Sequence, residues 1–409
     1  MIETSVFERV AGKFGTPIFI YDEEKIRSQA GRLWMSFGRY QPVKILYAVK
    51  ANSNPYLLKF LKGEGIWVDA VSPGEIALAL KVGFSSKNIL FTGNNITDEE
   101  MVFAMEREIL LNIDSLSRLE KFGKKYRGAE VCVRINPDVG AGHHDHCITG
   151  GPKSKFGIWY SEVDKIKEIA GRYDLKIIGL HQHIGSQILD PDKFLMAMNV
   201  LLRVAKNFQG LEFLDFGGGL GVPYKPEEKP LDLIELGKKF CERFSEFCRK
   251  YGKRLTLIIE PGRYLVAEAG YLLTRVNTIK KNPDGREFVG VDSGFNHLIR
   301  PAMYGSYHQI VNLSNPYGKK EKVDIVGNLC ESGDKFAEQR EINQPREGDL
   351  LVIKNAGAYG FCMASWYNSR PRPAEVLVRS DRIELIRQRE TIRDLIRGTK
   401  ITNPKIKGG

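Results

Sequence analysis

Apolar residues recur along this chain in short runs of strand length, separated by segments whose apolar positions repeat at helical spacing. After a first run at 16–21 and a helix-like segment at 22–37, apolar runs lie at 44–49, 66–71, 88–92, 109–113, 130–135, 176–182, 211–216 and 255–259. Helical spacing fills the gaps at 73–82, 98–107, 115–126, 161–172, 192–207 and 231–251. Eight strands alternating with helices, with no strand out of turn, predict a closed (β/α)8 barrel of the TIM type. An open doubly wound sheet is the alternative, but it usually needs fewer strands.

The texture changes after about residue 265. Strand-like runs at 270–279, 287–291, 322–327, 350–355 and 374–379 are parted by Gly, Pro and Asn turns, and a long helical segment is expected only at 382–397. The pattern predicts a barrel over 25–265 and a β-rich, sandwich- or barrel-like domain made of 1–24 and 266–409, which the strand near 16–21 joins. Residues 398–409 read as a frayed basic tail. There is no internal repeat.

Composition changes this picture little. A length of 409 residues, 42% hydrophobic and 27% charged, gives a globular chain with ample core. The net charge of +11 invites a nucleic-acid reading, yet the basic residues are interspersed with acids and form no run with interleaved aromatics. A surface suited to anionic small molecules is the better reading. Cysteines at 132, 147, 241, 248, 330 and 362 show neither CxxC pairs nor metal spacing, which fits a reducing compartment. The N-terminus, with Glu3, Glu8 and Arg9, lacks a signal pattern, and no apolar run is long enough to span a bilayer. A cytoplasmic protein with no membrane or nucleic-acid partner is expected.

A barrel places its chemistry where the strands end. Lys50 ends the first strand, Asp69 the second and Arg134 the fifth. His183 and Ser186 follow the sixth, Gly217-Gly218-Gly219 the seventh, and Glu260 ends the eighth. A lysine held partly out of water there has a lowered pKa, which suits an amine that must form Schiff bases. The plainer reading is a solvated lysine just past a strand. The glycines offer bare backbone N–H groups to a phosphate, or else make a tight turn. His183 suits stacking on a flat cofactor; His181 and His183 otherwise read as barrel histidines or a metal pair. The loop His143-His144-Asp145-His146 has no matching carboxylate or cysteine set, so no metal is expected. Glu260, before the rigid turn Pro261-Gly262-Arg263, is placed to face a ring nitrogen, or to pair with Arg263 or Arg134.

These motifs resemble a known family. Tyr47-Ala48-Val49-Lys50-Ala51-Asn52, Val68-Asp69-Ala70-Val71-Ser72, Lys155-Phe156-Gly157, His181-Gln182-His183-Ile184-Gly185-Ser186, Gly217-Gly218-Gly219-Leu220-Gly221 and Glu260-Pro261-Gly262-Arg263 occur in this order. Asn296 to Tyr304, Cys330-Glu331-Ser332-Gly333-Asp334 and Gly357-Ala358-Tyr359 complete the set. Almost end to end, the chain resembles the fold-type III, alanine-racemase-like pyridoxal-phosphate decarboxylases, the diaminopimelate decarboxylase group most. The resemblance implies that Lys50 carries pyridoxal 5′-phosphate, that His183 stacks on its ring and that Glu260 faces its nitrogen. It implies that Asp69, Ser186, the glycines 217–219, Pro261, Gly262, Arg263 and Tyr359 surround the cofactor. Cys330 is then the acid that reprotonates the substrate carbon, a step worth ~10²–10⁴ in rate. Arg263, Arg300, Tyr304, Glu331 and Tyr359 are the implied substrate set. The loop bearing Cys330 is implied to come from a partner subunit, making a homodimer with shared sites.

The implied reaction is loss of CO2 from meso-2,6-diaminopimelate to give L-lysine, the last step of lysine biosynthesis. Arg300 and Glu331 supply the cation and anion that a distal amino-carboxylate requires. A related decarboxylase acting on another amino acid or a carboxylated polyamine is the alternative, and a non-catalytic cofactor-binding homologue is a further one.

Overall fold

The structure, a computed structural model, describes residues 2–142, 144, 148–380 and 382–400. The chain forms two compact units. One comprises Asp22–Gly270 with Asn355–Cys362; the other comprises Ile2–Tyr21, Tyr271–Lys354 and the chain from Met363 onward.

Eight parallel strands close the first unit: β1 (Val43–Ala48), β2 (Trp67–Ala70), β3 (Ile89–Phe91), β4 (Leu110–Ile113), β5 (Glu130–Asn136), β6 (Lys176–His181), β7 (Phe213–Asp215) and β8 (Thr256–Ile259). Each pairs with the next, and β8 closes on β1 with Leu257 opposite Val43 and Ile259 opposite Ile45. The predicted closed barrel is thus present. Its strands are apolar on consecutive positions because one face meets the barrel interior and the other the surrounding helices. Inside, Leu46, Leu90, Cys132 and Phe213 pack together with Ile258; the first four come from the odd-numbered strands, the layering that a tilted eight-stranded barrel imposes. Gly179 on β6 is required here, since the Phe213 ring fills the place of a Cβ.

The outer helices bury one stripe each. Leu233–Tyr251 presents Leu236, Phe240, Phe244 and Phe247 at helical spacing. Phe240 meets Phe37 edge-on at 5.8 Å and Phe216 at 5.5 Å. Asp232 caps the start by accepting from Glu235 N–H, and Gly252, left-handed at φ 81°, ends the helix. A helix at Pro55–Gly63 lies where the pattern predicted none.

In the second unit the main sheet runs, in spatial order, Lys335–Asn343, Lys320–Val326, Glu287–Val291, Gly270–Lys281, Ile18–Asp22, Ala374–Arg379 and Arg382–Arg387. Leu350–Ile353 pairs with Gly270–Lys281 and with Ile310–Asn312. The first run, near 16–21, supplies the strand Ile18–Asp22 of this sheet. The expected helix at 382–397 is instead a strand, Arg382–Arg387, followed by a single helical turn, Ile392–Leu395. Arg382-Ile383-Glu384-Leu385 alternates apolar with charged, and the strand pairs antiparallel with Ala374–Arg379 while Ile383 packs on the core. Lys335–Asn343 escaped the sequence reading because it is an edge strand, whose outward residues are charged. Thr4–Phe14, also unexpected, is an amphipathic helix that buries Val6, Phe7, Val10 and Ala11. Among the described residues no helix is long and apolar enough to cross a membrane. Residues 401–409 of the tail and His143, Asp145, His146 and Cys147 lie outside the described residues.

Candidate active site

The C-terminal ends of β1 and β2 set the first contact. β1 runs into a 3-10 turn, Val49–Ala51, which leaves Lys50 half-buried with Nζ 2.6 Å from Asp69 Oδ2. Asp69 is wholly buried, and its other oxygen accepts from Thr92 Oγ1. Burial pulls the Lys50 ammonium down, but Asp69, Tyr359 and Glu260 together outweigh it and hold the lysine above its ordinary value. The depressed lysine pKa expected from desolvation alone is therefore corrected: the protonated amine gains more from its carboxylate than it loses to burial.

The segment Asn355–Cys362 packs on this turn. Asn52 Nδ2 donates to the Gly357 carbonyl at 3.0 Å, and Tyr359 N–H donates to the Ala51 carbonyl at 2.8 Å. Tyr359 is left-handed at φ 56°, a conformation that costs about 1–3 kcal/mol and marks a position held by its surroundings. Its ring lies under the Arg263 guanidinium, 4.9 Å from the centroid. Gly262 fits against Ala48 and Ala51, where a Cβ would come to 3.1 Å, and the Pro261 carbonyl accepts from Ala48 N–H at 3.2 Å.

Arg263 also gathers the candidate phosphate groups. Its Nη2 donates to Ser186 Oγ at 3.0 Å and its Nη1 to Tyr224 Oη at 2.9 Å. Beside them the glycine turn is obligatory, because a Cβ at Gly217 would strike the Gln182 carbonyl and one at Gly218 the Glu260 carbonyl. Two of its amides are engaged within the protein. Gly217 N–H donates to Asp215 Oδ1 at 2.8 Å and Gly218 N–H to His183 Nδ1 at 3.0 Å. The tight-turn reading thus applies to this stretch.

Glu260 is buried, and its Oε2 lies 3.0 Å from His181 Nε2. The two histidines part company: His181 is buried against Glu260, while His183 is half-buried with its ring held by Gly218. Burial, reinforced by Arg134, keeps both imidazoles neutral by pushing their pKa well down. Glu260 Oε1 and Arg134 Nη2 are buried without a hydrogen-bond partner among the described residues. An unpartnered carboxylate oxygen, an anchored lysine, a half-buried imidazole and an Arg–Ser–Tyr cluster are the donor set that a phosphorylated pyridine aldehyde requires, so these residues fit pyridoxal phosphate.

The other candidates belong to the β-rich unit. Arg300 and Tyr304 share one short helix, Arg300–Tyr304. Arg300 is buried, its Nη1 donating to His308 Nε2 at 3.0 Å and its Nη2 to Ser306 Oγ at 3.3 Å. Cys330 and Glu331 are exposed on the turn before Lys335–Asn343. Asp334 organises that turn, accepting from Leu329 N–H at 2.8 Å and Phe295 N–H at 2.7 Å. Cys330 N–H donates to Asn368 Oδ1 at 2.6 Å.

Sequence reasoning missed Thr92, Gln187, Asp215 and Tyr224. Asp215 had a signal, being an acid on an apolar strand just before the glycines. The others are ordinary polar residues whose partners come from distant strand ends.

Residues 23–267 match the pyridoxal-dependent decarboxylase family, pyridoxal binding domain. The chain is 48% identical to diaminopimelate decarboxylase of Methanothermobacter thermautotrophicus over 401 residues, covering 96% of this chain and 93% of the relative. It is 37% identical to the Escherichia coli (strain K12) diaminopimelate decarboxylase over 405 residues, covering 95% and 94%. Among solved structures it resembles diaminopimelate decarboxylase from Helicobacter pylori complexed with L-lysine, with a TM-score of 0.88 and 34% identity over 96% of this chain and 98% of that one.

Proposed function

From the premise that the chain belongs to the pyridoxal-dependent decarboxylases, we propose that it removes CO2 from meso-2,6-diaminopimelate to release L-lysine. The observation that carries this reading is the pairing of Lys50 with Asp69 in the same barrel mouth as the open oxygen of Glu260. Bound there, pyridoxal 5′-phosphate supplies a sink for the electron pair left when CO2 departs. Lys50 holds the cofactor through Nζ, and Asp69 is placed to take the proton that this amine gives up. Glu260 keeps a proton on the ring nitrogen, and His183 supports the ring face. Ser186, Arg263 and Tyr359 hold the phosphate, with Gly219 and the rigid Pro261-Gly262 turn shaping the cradle.

Arg300 reads the distal carboxylate, Glu331 the distal amine, and Tyr304 completes the pocket. Cys330 returns a proton to the substrate carbon; its exposure supports a role at the site of a second copy, so the working unit is a homodimer with shared sites. The five described cysteines are free, which suits a cytoplasmic enzyme. Incubation of the purified, cofactor-loaded protein with meso-diaminopimelate should yield L-lysine and CO2 in equal amounts. Turnover of ornithine or a carboxylated polyamine in preference to meso-diaminopimelate would overturn the substrate.

A further inference from the structure

The functional reading uses Glu260 but gives no task to the two groups packed against it. His181, Asp215 and Glu260 are all buried, and each brings one side-chain atom within 4.8 Å of the others. They come from the ends of adjacent strands β6, β7 and β8. Among the described residues Glu260 Oε1 and Asp215 Oδ2 both lack a donor, while Asp215 Oδ1 already accepts from Gly217 N–H at 2.8 Å. Two carboxylates this close and this dry are not both ionised. A single proton between them gives each of these oxygens a partner and leaves Glu260 Oε1 a second lone pair for a ring nitrogen.

Glu260 is the partner that keeps the negative charge. His181 has one hydrogen-bond partner, the Glu260 carboxylate, and a carboxylate oxygen accepts; its Nε2 therefore carries the hydrogen and its Nδ1 does not. Burial raises the Glu260 carboxyl too, but Lys50, the Asp215 side chain and Arg134 all act in favour of its anion. At Asp215 burial first, then Glu260 and Asp69, outweigh the Gly217 N–H bond and push the carboxyl well above the usual range.

We propose that Asp215 is a neutral carboxylic acid donating its proton to Glu260 Oε1, and that Asp215 and His181 are positioning residues that hold Glu260 as an oriented, weakened base. This rests on the reading that Glu260 faces the cofactor nitrogen. A carboxylate that already accepts two donors draws less strongly on a third proton, so the proton it shares with the ring stays on the ring nitrogen. A bare buried glutamate would pull that proton toward itself and leave the ring a poorer electron sink.

The test uses the holoprotein loaded with pyridoxal phosphate carrying nitrogen-15 in the ring, with two readouts. The first is the infrared difference between wild type and Asp215→Asn near neutral pH. A protonated-carboxyl stretch that moves in D2O and is lost in the variant is expected; its absence from wild type overturns the proposal. The second is the ring-nitrogen shift against pH. Asp215→Asn keeps a donor at the same place and should match wild type. Asp215→Ala and His181→Ala should move the ring nitrogen toward its unprotonated shift at neutral pH, about a tenfold change in how the proton divides between the ring and Glu260. Shifts unchanged in both alanine variants, or displaced equally in Asp215→Asn and Asp215→Ala, overturn it. Wild-type protein that takes up no labelled cofactor overturns the functional reading as well.

Discussion

Gln187 grips Val222 through both ends of its side-chain amide: Nε2 donates to the Val222 carbonyl, and Oε1 accepts from Val222 N–H at 3.2 Å. Gln187 is buried and left-handed at φ 61°, so it is held where few side chains settle without cause. The grip ties the turn bearing Ser186 to the segment leading from the glycines to Tyr224.

Gln187→Ala should therefore loosen the phosphate cradle without touching the reacting atoms. Two hydrogen bonds at about 1 kcal/mol each put the expected loss of cofactor affinity at tenfold or more. Fluorescence titration of the stripped protein with pyridoxal phosphate measures it, and turnover at saturating cofactor should stay near wild type. Unchanged affinity would show that the grip is only local.

Lys50→Ala should abolish turnover and the visible absorption of the lysine-bound cofactor, while the protein still melts cooperatively. Nothing else in the described barrel mouth offers an amine paired with a buried carboxylate as Asp69 is. A folded variant that kept the visible band would sink the assignment.

His297 predicts a pH dependence of stability. Its Nε2 donates to the Pro371 carbonyl at 3.1 Å, so its Nδ1 accepts from Ser293 Oγ at 3.1 Å. Burial lowers its pKa from 6.5 to about 4. The unfolded chain takes up this proton first as pH falls, so the contribution is full above about pH 6.5 and is lost through about pH 4. Between pH 7 and pH 5 this amounts to about 1–2 kcal/mol. Urea unfolding of wild type and His297→Asn at both pH values checks it: the variant, though less stable at pH 7, should show a smaller drop. An equal drop in both proteins would exclude His297 as the source.

If Cys330 serves the site of a second copy, Lys50→Ala and Cys330→Ala proteins should each be nearly inactive alone and partly active when mixed. Half of the mixed dimers are hetero, and one site in each has both groups, so roughly a quarter of the wild-type rate should return. Activity that stays at the unmixed level, with subunit exchange shown by tagged pull-down, would confine Cys330 to its own subunit.

The barrel was legible because runs such as Val43-Lys44-Ile45-Leu46 and Thr256-Leu257-Ile258-Ile259 are apolar enough to announce burial on both faces. Lys50, Ser186 and Glu260 were legible as polar groups that strand ends bring to one mouth, once the barrel fixed where those ends meet. Arg382–Arg387 misled because charged residues spaced by apolar ones fit a short helix as well as an edge strand, and the deciding partner, Ala374–Arg379, is a tertiary fact. Gln187 and Asp215 were hidden for a related reason. Their meaning lies in groups that another strand end or the loop after it supplies, and neither residue type carries a motif by itself.

The seat of Tyr359 on the Ala51 carbonyl has a consequence during synthesis. A nascent chain that has reached Gly270 already holds every barrel strand, yet the wall formed by Asn355–Cys362 is still to be made. Until Cys362 leaves the ribosome, the Lys50 turn stands open to water on that side. The early barrel is thus a scaffold without its finished mouth.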